Sequence, residues 1–111
     1  MENKYNIELY KMKADLCKTL ADPRRLIIIR ELGSEEKSVG ELARVLDIQQ
    51  SVVSRHLALL REKGVVTSRR EGASHYYTLS NPKIAQACSL VHEILLDQIE
   101  KKREFAEKII H

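Results

Sequence analysis

Residues 49–64, QQSVVSRHLALLREKG, constrain the fold more than any other stretch of this chain. Gln49, Gln50, Ser51, Ser54, Arg55 and His56 crowd hydrogen-bonding groups into its first half, while Val52, Val53, Leu57 and Leu60 recur at helical spacing. The pattern predicts a helix that is packed by one face and presents a polar front. Gly64 supplies a natural stop. Two β-like runs follow at once, Val65–Arg70 and His75–Leu79, around Glu71-Gly72-Ala73, with Gly72 as the turn residue. A helix with amides, hydroxyls and a guanidinium near its N-terminus suits the base edges of the DNA major groove.

The flanking segments extend this reading. Ile7, Leu9, Met12, Leu16 and Leu20 give Tyr5–Leu20 helical spacing. Asp22-Pro23 is an N-cap followed by proline at the first helical position. Leu26, Ile27, Ile29 and Leu32 are expected to face inward from a second helix, with Gly33 ending it. Ser38 and Glu41 form a capping-box pair opening a third helix through Leu46, with Leu42, Val45 and Leu46 inward. Asp47-Ile48 then makes a turn short enough for a helix-turn-helix unit. Asn81-Pro82 starts a last helix that can run to about Ile110 and would be ~40 Å long. Ile84, Cys88, Val91, Leu95, Gln98 and Ile99 fall near one stripe of it, extended by Phe105 and Ile109. Such a stripe needs a partner, as does the first helix. The simplest solution is a two-fold dimer pairing the first and last helices. The charged tail beyond Glu100 can alternatively fray.

The expected fold class is mainly α with a small β-hairpin, a winged helix-turn-helix in the order α-α-α-α-β-β-α. Residues 1–111 form one domain. Segments 1–20 and 82–111 dimerise, 38–63 is the helix-turn-helix and 65–80 the wing.

A length of 111 residues allows one domain with a modest core. Aromatic residues are only 5% and Trp is absent, so the core must be aliphatic, and single-strand binding by base stacking is disfavoured. The net charge of +3 falls mainly on residues 38–80, where phosphate attraction would want it, although so small a surplus also arises by chance. There is no apolar run near ~18 residues and no signal peptide, so no membrane partner is expected. Two cysteines without an export signal read as reduced thiols in the cytoplasm. No phosphate loop, HExxH or nucleophile elbow is present, so an enzyme is not expected. A protein-interaction module without DNA binding is the competing class. Arg55, Arg69 and Arg70 weigh against it.

These residues resemble the ArsR family of winged-helix repressors. LADPRRLIIIREL (Leu20–Leu32), SVGELARVLDIQQSVVSRHLALLREKGVV (Ser38–Val66) and REGASHYYTLS (Arg70–Ser80) carry the likeness, which spans roughly residues 15–95. The resemblance implies a homodimer that binds a palindromic double-stranded DNA operator and blocks transcription until an effector weakens the complex. It makes Gln49, Gln50, Ser51, Ser54, Arg55 and His56 the base-reading candidates, with Gln suited to adenine and Arg to guanine. His56 can instead be a buried, hydrogen-bonded helix residue. Ser38 and Gly40 would offer backbone N–H groups to phosphate, and Arg69, Arg70 and Ser74 would reach the backbone or minor groove from the wing. Each is otherwise a solvated surface residue.

The chain departs from the metal-sensing members. Where the arsenic and cadmium type has cysteines, it has Ser38, Gly40 and Ala43. The zinc positions hold Asn81, Lys83, Ile94 and Asp97, and one carboxylate cannot hold the ion. No cofactor is therefore expected. Cys17 on the first helix and Cys88 on the last remain. They can respond to thiol oxidation or to sulfur species as a facing redox pair if those helices meet, or be inert small hydrophobes. Cys88 and His92, four apart, with Cys17 as a third ligand make a metal-binding variant. An unidentified effector, or none, completes the alternatives.

Overall fold

The computed structural model describes residues 4–110; residues 1–3 and 111 of the expected domain lie outside the described residues. Its helices begin where the sequence caps them. Asn6 Oδ1 accepts from the N–H groups of Glu8 (3.1 Å) and Leu9 (3.3 Å) and opens α1, Ile7–Leu20. Asp22 Oδ1 accepts from Arg24 N (2.9 Å) and Arg25 N (3.2 Å) ahead of α2, Pro23–Ser34. The expected capping box is formed: Glu41 N donates to Ser38 Oγ (3.2 Å) and Ser38 N to Glu41 Oε1 (3.1 Å). These bonds favour the ionised carboxylates and hold Asp22 and Glu41 below their ordinary pKa.

The box launches α3, Val39–Leu46, directly after a two-residue strand β1, Lys37–Ser38. Asp47, at φ 54°, turns the chain toward α4, Gln50–Glu62. Gly64, at φ 76°, lets the chain leave α4 in a conformation that a side chain would oppose. Strands β2, Val66–Glu71, and β3, Ser74–Leu79, pair antiparallel in the register Val66↔Leu79 to Glu71↔Ser74. A two-residue turn joins them, with positive φ at Gly72. The chain closes with α5, Lys83–Ile110, and Asn81 Oδ1 accepts from Lys83 N at 3.0 Å.

The core comprises Ile28, Ile29 and Leu32 of α2, Leu42 and Ala43 of α3, Val53, Leu57 and Leu60 of α4, and Val65 and Val66. Tyr77, Leu79, Ile84 and Cys88 pack against it. The helix-turn-helix and the hairpin are thus fixed to one aliphatic nucleus.

Four expectations need correction. Gly33 does not end α2, which continues to Ser34. A Cβ on Gly33 would meet the Cβ of Ala85 at 3.0 Å, so this glycine admits α5 to close packing on α2. Ile28 faces inward from α2, whereas Leu26 and Ile27 are 42% and 44% exposed. On α3 the inward residue is Ala43 rather than Val45, which is 49% exposed. Finally, the hairpin gains a third strand: β1 pairs with β3 through Lys37↔Tyr77 and Ser38↔Tyr76, in the sheet order β1-β3-β2.

The charged tail is helical to Ile110, and Arg103 bonds Glu100 and Glu107 about one turn to either side along it. None of the residues of α5 is buried, and α1 buries Thr19. The chain exposes 8720 Å², against about 6300 Å² for a compact protein of its mass. Its radius of gyration is 18.0 Å, against about 13 Å for a compact domain of this length.

Candidate nucleic-acid interface

Burying Val53, Leu57 and Leu60 turns the opposite face of α4 outward. Ser51, Ser54, Arg55 and Ala58 lie on that exposed face at i, i+3, i+4 and i+7. Among the described residues Arg55 has no ion-pair partner, so its guanidinium is available to an outside acceptor. Gln49 holds the N-cap position without a side-chain capping bond, which leaves its amide outward as well. Ala58 was not among the sequence candidates. A small exposed residue in this stripe keeps that face of the helix slim.

The first turn of α3 lies beside this face. A Cβ at Gly40 would sit 3.5 Å from Gln50 Nε2, so the glycine leaves room for that amide. The Ser38 N–H, expected to meet phosphate, is already taken by Glu41. Gly40 keeps its place in the first turn of α3, where helix N–H groups point outward.

His56 stands apart from the exposed stripe. It is half-buried, and its Nδ1 lies 3.4 Å from Arg25 Nη1. Arg25 can only donate, so Nδ1 accepts and the neutral ring carries its proton on Nε2. Burial pushes the imidazole pKa down. The Asp22 carboxylate opposes this, and the Arg25, Arg24 and Arg55 guanidiniums add to it. Arg25 Nε also donates to the Thr19 carbonyl at 2.6 Å. One side chain thereby ties the end of α1 to the back of α4, a link that needed the fold to be seen.

The wing separates its two arginines. Arg70 donates to the Gly72 carbonyl at 3.1 Å and has no carboxylate partner among the described residues. Ser74 is exposed at the turn. Arg69 is engaged by Glu36 and Glu71.

Cys17 is exposed on α1, and Cys88 is half-buried on α5, where burial pushes its thiol pKa up. Among the described residues no three His, Cys, Asp or Glu side chains converge on a metal-sized site, so Cys17, Cys88 and His92 do not form one within a chain. No described helix is long and apolar enough to cross a membrane.

Residues 22–68 match the family model of bacterial regulatory proteins of the arsR family. The transcriptional activator HlyU of Vibrio cholerae is 42% identical over 79 residues, which is 71% of this chain and 73% of that one. The biofilm growth-associated repressor of Agrobacterium fabrum is 43% identical over 81 residues, covering 73% and 69%. Among solved structures, HlyU from V. cholerae aligns with a TM-score of 0.70 at 39% identity, covering 77% of this chain and 92% of that one. A homodimeric winged helix-turn-helix DNA-binding domain from Mycobacterium bovis, a possible ArsR-family regulator, aligns with a TM-score of 0.78 at 28% identity, covering 90% and 93%.

Proposed function

Because this chain belongs to the arsR family of bacterial regulatory proteins, winged helix-turn-helix transcriptional regulators rather than enzymes, we propose that it is a cytoplasmic homodimeric repressor of a palindromic double-stranded DNA operator. The observation that carries this reading is the outward stripe of α4, with Arg55 at its centre and without an ion-pair partner among the described residues. Arg55 would read guanine O6 and N7, Gln49 and Gln50 adenine, and Ser51 and Ser54 neighbouring edges. Gly40, Arg70 and Ser74 would hold the phosphates. His56, packed behind the stripe, would orient α4 more than it reads bases.

The dimer would form through α1 and α5. Its support is the apolar surface these helices leave open, including Leu9, Met12 and Leu16 on α1 and Leu90, Val91, Ile94 and Leu95 on α5. The M. bovis domain is described as homodimeric. A bound dimer would then exclude polymerase from an overlapping promoter.

The direct test is titration of a labelled duplex of about 30 bp at rising salt, where affinity should fall steeply as phosphate contacts are screened. Sedimentation of the free protein should give twice the chain mass. No duplex binding, or binding indifferent to salt, contradicts the reading.

A thiol response is the second reading, favoured because Cys17 and Cys88 both sit on the two helices with uncovered apolar faces. The raised thiol pKa of Cys88 keeps it less reactive, which restrains this response. Oxidised and reduced protein should then differ in duplex affinity, and Cys17→Ser should abolish the difference. Equal affinities would leave the effector to another chemistry.

A further inference from the structure

Arg69 and Arg70 are neighbours on β2, and the sequence assigns them the same work. The fold does not. Alternation along β2 places Val66, Ser68 and Arg70 on the face whose β3 partners, Tyr77 and Leu79, pack on the core. Thr67, Arg69 and Glu71 share the outer face with Tyr76 and Thr78. There the Arg69 guanidinium lies over the Tyr76 ring, 4.8 Å from its centroid. Beyond the ring it grips Glu36 with two bonds, Nε to Oε2 at 2.8 Å and Nη2 to Oε1 at 2.6 Å. Its third nitrogen, Nη1, bonds Glu71 Oε2 at 2.8 Å.

The side chain therefore spans the whole sheet. It starts on β2, crosses the middle strand β3 and ends at Glu36, the residue before β1 and two before the α3 cap Ser38. All three guanidinium nitrogens are occupied, and two carboxylates surround one cation. A DNA phosphate would have to displace them against a local negative excess. Arg70, with one carbonyl bond and no carboxylate partner among the described residues, faces no such competition.

We propose that Arg69 is a positioning residue: it ties the wing, across β3, to the segment that launches the helix-turn-helix, and leaves phosphate contact to Arg70. Arg69 and Glu36 side chains are 53% and 32% exposed, so the pair adds little to global stability. Its contribution is orientation, because a bidentate planar pair fixes direction as well as distance. Val66, Tyr77 and Leu79 hold the base of the hairpin to the core from its inner face, and the Arg69–Glu36 pair adds a hold on the outer face, nearer the tip. The wing's task rests on the duplex-binding reading above, whereas the tether is a property of the free protein.

The test compares the full chain with Arg69→Gln, Arg70→Gln, Arg69→Glu and the charge exchange Glu36→Arg with Arg69→Glu, each checked for helix content by circular dichroism. Amide hydrogen exchange at residues 71–74 is measured without DNA, and the salt slope of affinity on a mixed-sequence duplex of about 30 bp with it. Arg70→Gln should leave exchange unchanged and lower the slope by about one per subunit. Arg69→Gln should speed exchange several-fold and weaken binding by about tenfold, and the charge exchange should recover most of both losses. Unchanged exchange in Arg69→Gln, or a charge-exchange protein that binds as weakly as Arg69→Glu, overturns the proposal. If the wild-type chain binds no duplex, the functional reading falls, and the exchange data alone still decide for or against the tether.

Discussion

Residues 23–80 supply the whole buried core, whereas α1 and α5 leave most of their apolar side chains exposed. Every core residue lies between Ile28 and Val66. The 28 residues of α5 include none that is buried, although Leu90, Val91, Ile94, Leu95 and Ile99 are aliphatic. The same residue types do opposite things because of what surrounds them. The middle of the chain folds three helices, a turn and a hairpin onto a shared nucleus. The outer helices run past that nucleus and have nothing of their own to cover them. The surface beyond that of a compact chain of this mass is about 2400 Å², the scale that obligate dimers bury per partner. The middle is closed on its own nucleus, and the outer helices leave apolar faces open.

The strongest way to break this comparison is to remove a residue from the finished half. Leu57→Ala, at a position with 0% exposure, should cost about 2–5 kcal/mol of folding stability by urea melt. A loss below ~1 kcal/mol would mean that the nucleus is not closed within the chain. Leu95→Asp, at a position 53% exposed in the single chain, should weaken dimerisation by at least ~2 kcal/mol. Sedimentation equilibrium would show monomers with the helix-turn-helix intact. Persistent dimers would refute the assignment of α5.

Two smaller effects sharpen the comparison inside the closed middle segment. Arg55→Ala should leave stability unchanged and cost about 1–3 kcal/mol at one base pair per half-site, read from competition between duplexes. Equal loss on all sequences would make Arg55 a phosphate contact. The smallest effect concerns pH. Burial holds the His56 imidazole below its ordinary value, so the unfolded chain takes up this proton more readily than the folded one. Stability should therefore fall as pH drops below about 6.5 and level off once the folded ring is protonated. Urea midpoints across that window should be flatter in His56→Gln. An identical slope would show that the imidazole is not where α2 and α4 enclose it.

What could be read in advance followed the range of each interaction. Asp22-Pro23, Ser38 with Glu41, Gly64 and Gly72 act on residues one to four places away, and each marked its element correctly. Spacing failed where it carried no contrast. In Leu26–Ile29 every residue is aliphatic, so periodicity could not choose Ile28 over Leu26 and Ile27. Gly33 looked like a stop because the chain near Ala85 that requires it is some fifty residues away. β1 is two residues long and exists through its pairing with Tyr76 and Tyr77. In the candidate site, the exposed polar positions of α4 were legible as the complement of its apolar ones. The setting of Arg69 was not, and that of His56 was legible only as one of two alternatives, since Glu36 and Arg25 reach them from 33 and 31 residues away.

The central claim is that two copies of α4 enter one duplex face together. Selection of bound sequences from a random duplex library tests it most directly. The expected product is an inverted repeat with half-site centres about 10–10.5 bp apart, or a multiple of that, the spacing of one helical turn. Enrichment of a single asymmetric site, or no enrichment over the starting pool, would contradict it.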